Sequence, residues 1–407
     1  MRVLLAHNFY RSTAPSGEDT VYLEERSLLE RHGVEVIAYE RQSDELDTAG
    51  MSTLARSALD ASWSDAAARQ LSSLIVRTRP DVAHFHNTFP LISPSAYGAC
   101  AAAGVPVVQT LHNYRLICPG AMLYRDGVPC EDCVGTSLLP ALRHRCYRQS
   151  LPATASVVNM LWNNRRRGTY SSLVHRYVAL TEFARERFIA GGLPAARIDV
   201  KPNGLAAPPH AGTGEGGYAV FVGRLSVEKG VHTLIEAWKA LSGVRLKVVG
   251  EGPMRAPLEQ QARRDLVDVE FMGRLERSRV AEVVGEAALA VVPSQWFEGF
   301  PMVVVEAFAC GTPVVASRLG SLAEIVRDGI TGRLFTSGDP GALVAAVRAM
   351  LDAPEALKQM RRNARHEFET RYSSAAGFRA LMEIYQRASQ SLRQHSPLLE
   401  QPVDVQG

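Results

Sequence analysis

Ser294-Gln-Trp-Phe-Glu298-Gly-Phe-Pro-Met-Val-Val-Val-Glu306-Ala-Phe-Ala-Cys-Gly311 sets two acids about a Gly-Phe-Pro turn and a short apolar run. Ala288-Leu-Ala-Val-Val-Pro293 precedes it and Pro313-Val-Val-Ala316 follows it, both short apolar runs bounded by turn residues. The pattern predicts a strand, a loop with one acid, a helix with a second acid that stops at Gly311, and another strand. In open α/β sheets a strand end leading into a helix is where ligands bind, and the free peptide N–H groups of the helix start favour anions. Glu298 and Glu306 at such a junction read as grips for sugar or ribose hydroxyls while the backbone holds a phosphate. Taken alone, the pair reads equally well as one loop acid and one helix acid on the surface.

Upstream of this stretch the second half repeats the same unit. Ala219-Val-Phe-Val222 predicts a strand, and Gly223-Arg224-Leu-Ser-Val-Glu-Lys229-Gly230 a loop into a helix with Val231, Leu234, Ile235, Trp238 and Leu241 on its apolar face. Arg224 and Lys229 thus bracket a βα turn, where two fixed cations and a helix start suit a pyrophosphate. A solvated Arg/Lys pair is the plainer alternative. Further strand-to-loop crossings come at Gly250-Glu-Gly252 and at Gly273-Arg274.

The first half begins the same way: strand Val3–Ala6, a polar loop with Ser16-Gly17-Glu18-Asp19, a helix, and strand Val34–Ala38. That is a βαβ unit, without the glycine pattern of a dinucleotide or P-loop site. Gly17 would let backbone approach a phosphate, or is plain turn chemistry. His84 and His86 share one face of a strand over Asp81–Asn87, so a metal there needs a third ligand; polar groups at a strand end facing a cleft are the favoured reading. His112 follows strand Val105–Leu111, again at a strand end. The Ala-, Pro- and Gly-rich segment Leu205–Gly217 reads as a domain linker.

Cys118, Cys130, Cys133 and Cys146 fall close together, with a central Cys-Glu-Asp-Cys. This resembles the four-cysteine ligand set of a structural zinc knuckle; redox or disulfide chemistry, or thiols without a role, are the alternatives. From Val134 to Thr181 there is no acid, while Arg143, Arg145, Arg148, Arg165, Arg166, Arg167 and Arg176 occur among apolar residues. Such a segment suits an anionic membrane surface or an acidic acceptor, or is a solvated helix face.

Length and composition agree with a two-domain soluble enzyme. The chain has 407 residues, 46% hydrophobic and 21% charged, with a net charge of only +3. No nucleic-acid partner is therefore expected. The start, Met1-Arg-Val-Leu-Leu-Ala-His, turns polar too early for a signal peptide, and no apolar run is long enough for a membrane span. Six cysteines over this length do not resemble a secreted disulfide framework, so a cytoplasmic enzyme is expected.

Together Phe221-Val-Gly-Arg-Leu-Ser-Val-Glu-Lys-Gly230, Val248-Val-Gly-Glu-Gly-Pro253, Glu298-Gly-Phe-Pro-x4-Glu306 and Gly311-Thr-Pro-Val-Val-Ala316 resemble the retaining GT-B glycosyltransferases of family 4. The resemblance covers essentially the whole second half and is looser in the first. It implies an α/β fold of two Rossmann-like, doubly wound domains facing across a cleft, and a nucleoside-diphosphate sugar donor. The expected domains are an acceptor-side domain over 1–205, with a Cys- and Arg-rich insertion near 115–170, a nucleotide-sugar domain over 206–375, and a final helix over 376–395 crossing back.

Carried over residue by residue, the resemblance puts Arg224 and Lys229 on the donor diphosphate and Glu306 on the ribose hydroxyls. Glu298, with the amides of Gly299, Phe300, Met302 and Val303, would hold the donor sugar and phosphate. Gly17 would approach the diphosphate from the other domain, His112 would contact the transferred sugar, and Gly273-Arg274 would lie near the base. Many members similar to this chain have Gly where it has Pro301, and proline removes one N–H donor there.

No D-x-D motif occurs, Asp268-Val-Glu270 being the nearest approach, so a metal-independent transfer is expected. Retention would proceed on one face of the sugar, since no second carboxylate at glycosidase spacing is evident. The acceptor is expected to be lipid-linked, with peripheral contact on the inner face of a membrane, in cell-surface polysaccharide or glycolipid assembly. A soluble natural-product acceptor, a sugar-nucleotide isomerase on the same fold, and an inactive scaffold built around the cysteines are the competing readings.

Overall fold

The computed structural model describes residues 1–13, 16–46, 59–208 and 211–395. The first domain holds strands β1 (Arg2–Phe9), β2 (Glu35–Gln42), β3 (Val82–Asn87) and β4 (Val107–Thr110). A small hairpin, β5 (Tyr124–Arg125) and β6 (Val128–Pro129), precedes β7 (Arg176–Ala179) and β8 (Ile198–Val200). Six of these strands form one parallel sheet in the order β2-β1-β3-β4-β7-β8. Helix α1 (Gly17–Arg31) follows β1, α2 (Asp65–Thr78) precedes β3, and α3 (Ser95–Ala102) joins β3 to β4. Parallel strands are covered on both faces, and β4 is accordingly buried along its whole length.

The second domain repeats the plan with β9 (Tyr218–Val222), β10 (Arg245–Val249), β11 (Val269–Gly273), β12 (Leu289–Val292), β13 (Val314–Ser317) and β14 (Gly332–Phe335). Their order is β11-β10-β9-β12-β13-β14, all parallel. Each sheet therefore reverses its winding once, between β1 and β3 in the first and between β9 and β12 in the second. The crevice beyond the strand ends at such a reversal is the expected ligand site.

Helix starts are capped by the residues the sequence offers for it. Ser16 accepts from the Glu18 N–H while the Asp19 carboxylate takes the Ser16 N–H, and Thr181 and Asp339 cap two later helices.

The long connection between β4 and β7 carries α4 (Leu139–Arg143) and α5 (Leu151–Arg166). Among the described residues, six of the nine non-glycine positions with positive φ lie at 121–149, so the path of this insertion is imposed by tertiary packing more than by local preference. The last helix, Ser374–His395, crosses back onto the first domain, and Leu381, Ile384, Tyr385 and Ala388 pack with Val3, Leu5 and Tyr22. The two inter-domain crossings are bonded to each other: the Leu205 N–H donates to Tyr372 O at 2.9 Å and the Ser374 N–H to Leu205 O at 3.1 Å.

Composition reads Leu205–Gly217 as a domain linker, without saying what holds it. In its described part, the N–H groups of Gly212, Gly214 and Gly216 donate to carbonyls of Cys310, Gly285 and Glu286, so the segment is strapped to the second domain.

Candidate active site

The loops after β9 and β12 flank the reversal of the second sheet and carry the charged residues singled out in the sequence. Gly230 has φ +68 and comes so close to β12 that a Cβ there would sit 1.9 Å from the Pro293 carbonyl oxygen. That approach brings Lys229 Nζ to 2.7 Å from Glu298 Oε1, an oxygen that also accepts from Ser294 Oγ at 2.7 Å. Glu298 is 5% exposed, and Oε2 has no intramolecular partner among the described residues. Arg224, on the neighbouring turn, is exposed, with no side-chain hydrogen bond or ion pair among the described residues.

Glu306 lies on the helix Met302–Ala309 that begins just after Pro301. Burial raises its carboxyl above the usual range, against the pull of the Arg277 guanidinium, which reaches across to pair with Glu24 of the first domain. The amides assigned to phosphate differ among themselves. Met302 N–H donates to the Phe300 carbonyl at 3.0 Å, within its own loop. Val303 N–H, in the first turn, has no acceptor within the helix. The Phe300 ring lies 6.2 Å from Tyr372 and packs into the core. Gly273 and exposed Arg274 end β11, at the outer edge of the sheet.

From the first domain, Gly17 is the first residue of α1, and space is open where its side chain would be. Next to it the Glu18 carboxylate accepts from Asn113 Nδ2 at 2.8 Å and Tyr10 OH at 3.2 Å, and burial raises its pKa. His112 follows β4, and its carbonyl oxygen lies 2.4 Å from where a Cβ on Gly299 would be. The two domains therefore touch at the acid-bearing loop, and only glycine fits the contact. Tyr114 OH and Ser321 Oγ both donate to the Glu298 carbonyl, at 3.4 and 2.9 Å.

Behind His112 runs a buried chain of groups. Lys201 Nζ is 3.0 Å from Glu25 Oε2, Glu25 Oε1 is 3.1 Å from His86 Nε2, and His86 Nδ1 is 2.9 Å from His112 Nε2. Burial works to raise the Glu25 carboxyl, but Lys201, His86 and the hydrogen bonds of both neighbouring imidazoles outweigh it and hold it well below its ordinary value. Burial and then His84 push His86 down to about 3, and burial and His86 also lower His112. Glu25 is thus ionised and both rings are neutral. His86 donates from Nε2 to the carboxylate, so its Nδ1 accepts from His112 Nε2–H, and the bare nitrogen of His112 is Nδ1.

Among the described residues, Glu25, His84 and His86 form the only group of three or more His, Cys, Asp or Glu side chains whose donor atoms all lie within 4.8 Å of one another. The third partner that a His84/His86 metal site requires is thus present, but the Lys201 ammonium already balances that carboxylate, and His84 is engaged with Tyr385 OH at 2.8 Å and Thr110 Oγ1 at 2.7 Å.

Cys118, Cys130, Cys133 and Cys146 are all free thiols. They gather around one corner of the insertion: a Cβ on Gly120 would lie 3.8 Å from Cys118 Sγ and 3.6 Å from Cys146 Cβ. They do not form a set within 4.8 Å, whereas tetrahedral thiolates at about 2.3 Å from zinc stand about 3.8 Å apart. Cys118, Cys146 and Cys130 all act electrostatically on the Cys133 thiol, whose pKa burial raises to about 11, so the four side chains are neighbours.

Glu25, Lys201, Glu18 and Tyr385 were not singled out by the sequence. Lys201 lies in Val200-Lys-Pro-Asn203, where no neighbouring residue points to an acid 176 residues away.

Comparison with known proteins follows the same division. A family model described as Glycosyl transferases group 1 matches residues 209–367, and one described as Glycosyltransferase Family 4 matches 17–206. A D-inositol 3-phosphate glycosyltransferase 2 of Catenulispora acidiphila is 32% identical over 307 residues, covering 71% of this chain and 67% of that protein. A glycogen synthase of Mycobacterium tuberculosis is 36% identical over 217 residues, 52% of this chain, and the match spans 50% of that protein's length. The structure of Anabaena Alr3699/HepE in complex with UDP superposes with a TM-score of 0.64 at 20% identity, covering 97% of this chain and 100% of that one. Sucrose-phosphate synthase from Thermosynechococcus elongatus gives 0.65 at 17% identity, covering 97% and 98%. The structural likenesses show the fold, and the family matches and the Catenulispora relative show the kinship: the chain belongs to the family 4 glycosyltransferases of the GT-B fold.

Proposed function

We propose that this protein moves a sugar from a nucleoside-diphosphate sugar to an acceptor hydroxyl, with retention and without a catalytic metal. The observation that carries this reading is the 2.7 Å Lys229–Glu298 contact at the sheet reversal, beside the place where Gly299 meets His112. Lys229 and Arg224 supply the positive charge that a departing diphosphate needs, in a site partly shielded from water. Glu298 keeps Oε1 on Lys229 and Ser294, which leaves Oε2 for a sugar hydroxyl. His112, with Nδ1 bare, accepts a hydrogen bond from a hydroxyl of the transferred sugar. Glu306 takes the ribose, and its raised pKa suits a group that neutral hydroxyls will solvate. Retention on one face of the sugar, with the leaving phosphate taking the acceptor's proton, completes the proposed mechanism.

The donor is a UDP- or GDP-sugar. The HepE structure holds UDP, and a relative 38% identical over 155 residues is described as a GDP-mannose-dependent phosphatidylinositol dimannoside mannosyltransferase. That relative's name also favours an acceptor in glycolipid or cell-surface assembly. A peripheral membrane contact is supported by exposed Leu139, Leu151 and Trp162, set among Arg143, Arg145 and Arg166 in the acid-free segment. No helix among the described residues is long and apolar enough to cross a membrane.

A thermal-shift panel of UDP-, GDP-, ADP- and TDP-sugars tests the donor, since a ligand bound only by the folded state raises Tm. Stabilisation by none of them sinks the reading. Release of free nucleoside diphosphate only when acceptor is present separates transfer from isomerisation. Flotation with anionic against zwitterionic vesicles separates a membrane-borne acceptor from a soluble one.

A further inference from the structure

We propose that the first domain holds a phosphate-binding acceptor subsite built on Arg115 and Arg148, which takes an acceptor bearing a phosphate near the hydroxyl to be glycosylated. The inference rests on the transferase reading above and names the chemical class of its acceptor.

A cavity of about 200 Å³ opens in this domain, and among the described residues its lining includes Arg11, Arg115 and Arg148 and no carboxylate. Phe89 and Tyr147 add ring faces. Those rings stand edge to face, 5.8 Å apart at 84°, and the Arg115 guanidinium lies over both, 4.4 Å from the centroid of Phe89 and 5.1 Å from that of Tyr147. Arg148 also lies over Tyr147, at 5.4 Å. Ring contact fixes the plane of a guanidinium while leaving its N–H edges for hydrogen bonds. Arg115 uses one N–H on the Pro119 carbonyl at 3.3 Å, and a guanidinium has five.

Among the described residues no carboxylate lines the cavity, and the acids beside it, Asp44 and Glu18, have partners of their own. Asp44 is held by the Ser12 N–H at 3.1 Å and Gln42 Nε2 at 3.2 Å, and Glu18 by Tyr10 and Asn113. A tetrahedral, multiply charged oxyanion matches two stacked guanidiniums better than a neutral polyol does. Asn87, Phe89 and Arg115 also line the adjoining cavity that contains His112. An acceptor anchored by its phosphate would therefore extend its hydroxyl toward the place where the sugar arrives.

The test is isothermal titration of the full chain with inorganic phosphate and, separately, with nucleoside diphosphates, comparing wild type, Arg115→Gln/Arg148→Gln, Arg148→Gln and Lys229→Ala. Phosphate affinity is expected to fall about tenfold or more in the double variant, the scale of lost charged hydrogen bonds, and to survive in Lys229→Ala. Nucleoside diphosphate binding should show the reverse. Unchanged phosphate affinity in a folded double variant, or no saturable phosphate binding by wild type, overturns the proposal. If the double variant does not fold, exposed Arg148→Gln decides it: weaker phosphate binding supports the subsite, and unchanged binding overturns it. Wild type that binds phosphate but no nucleoside diphosphate removes the donor reading and leaves this site standing. Flotation on phosphatidylinositol vesicles assigns the phosphate to a lipid headgroup if the double variant loses it, and to a soluble acceptor if only free phosphate binding is lost.

Discussion

Lys229 is where the residue scale carries most of the chemistry. Its ammonium is the nearest positive charge to Glu298, and that carboxylate is buried. Lys229→Ala is expected to lower kcat/KM by about 100- to 1000-fold, the scale of one lost preorganised electrostatic contact at a transition state. Near-normal turnover at saturating donor would sink its role on the diphosphate. Gly299→Ala tests the contact between domains. The added methyl would meet the His112 carbonyl at 2.4 Å and push the acid-bearing loop off the first domain. Activity should drop sharply while each domain's fold survives, read by steady-state kinetics beside far-UV circular dichroism; full activity would mean that the contact is dispensable. Both positions lie in motifs legible in the sequence, because each belongs to a βα loop whose strand and helix are its immediate neighbours. His112 was legible only as a strand-end residue, and the groups that set its tautomer were not.

At the scale of elements, α1, β3 and the end of β8 bring Glu25, His86 and Lys201 into one buried line. His86 stays neutral in the fold, with its pKa pushed down to about 3 from 6.5. Below pH 6.5 the unfolded chain takes up a proton that the folded chain refuses, so stability falls as pH drops from there toward 3. The slope approaches about 1.4 kcal/mol per pH unit for one such histidine. His112 is lowered as well and adds in the same direction. Glu25 acts lower down: its stabilisation is complete above 4.5 and is lost as pH falls through its depressed folded value. Urea unfolding at pH 7.5 and 5.5 should show the loss, and His86→Asn should flatten it; equal stability at both pH values would mean the rings are protonated in the fold. The cysteine-rich insertion was the element least legible from sequence. Its path runs through six positive-φ non-glycine residues, a conformation set by packing and not written in the cysteine spacing.

For the whole molecule, the last helix decides whether the domains act together. Leu381 is fully buried between that helix and the first sheet. Leu381→Ala is expected to cost about 2–5 kcal/mol, the range for a buried leucine, measured as a lower midpoint in urea. A change within error would mean that the crossing helix is not part of the cooperative unit. The Arg277–Glu24 pair also spans the cleft, but Arg277 is 55% exposed. Arg277→Ala should therefore change stability by no more than about 1 kcal/mol, read by the same unfolding, and a larger loss would show a stronger latch than an exposed pair provides.

Local residue order sufficed for the alternation of strands and helices, the two-domain division and the loops that carry Arg224, Lys229, Glu298 and Glu306. Those features depend on periodicity, turn residues and caps, which neighbouring residues settle among themselves. Only the tertiary structure decided that Lys229 and Glu298 face each other, that Glu25 and His86 stand behind His112, that the glycine-rich linker is strapped down, and that arginines and aromatic rings enclose a cavity. Each of these joins residues far apart in the chain, and their distances follow from how sheets and helices pack, not from any local pattern.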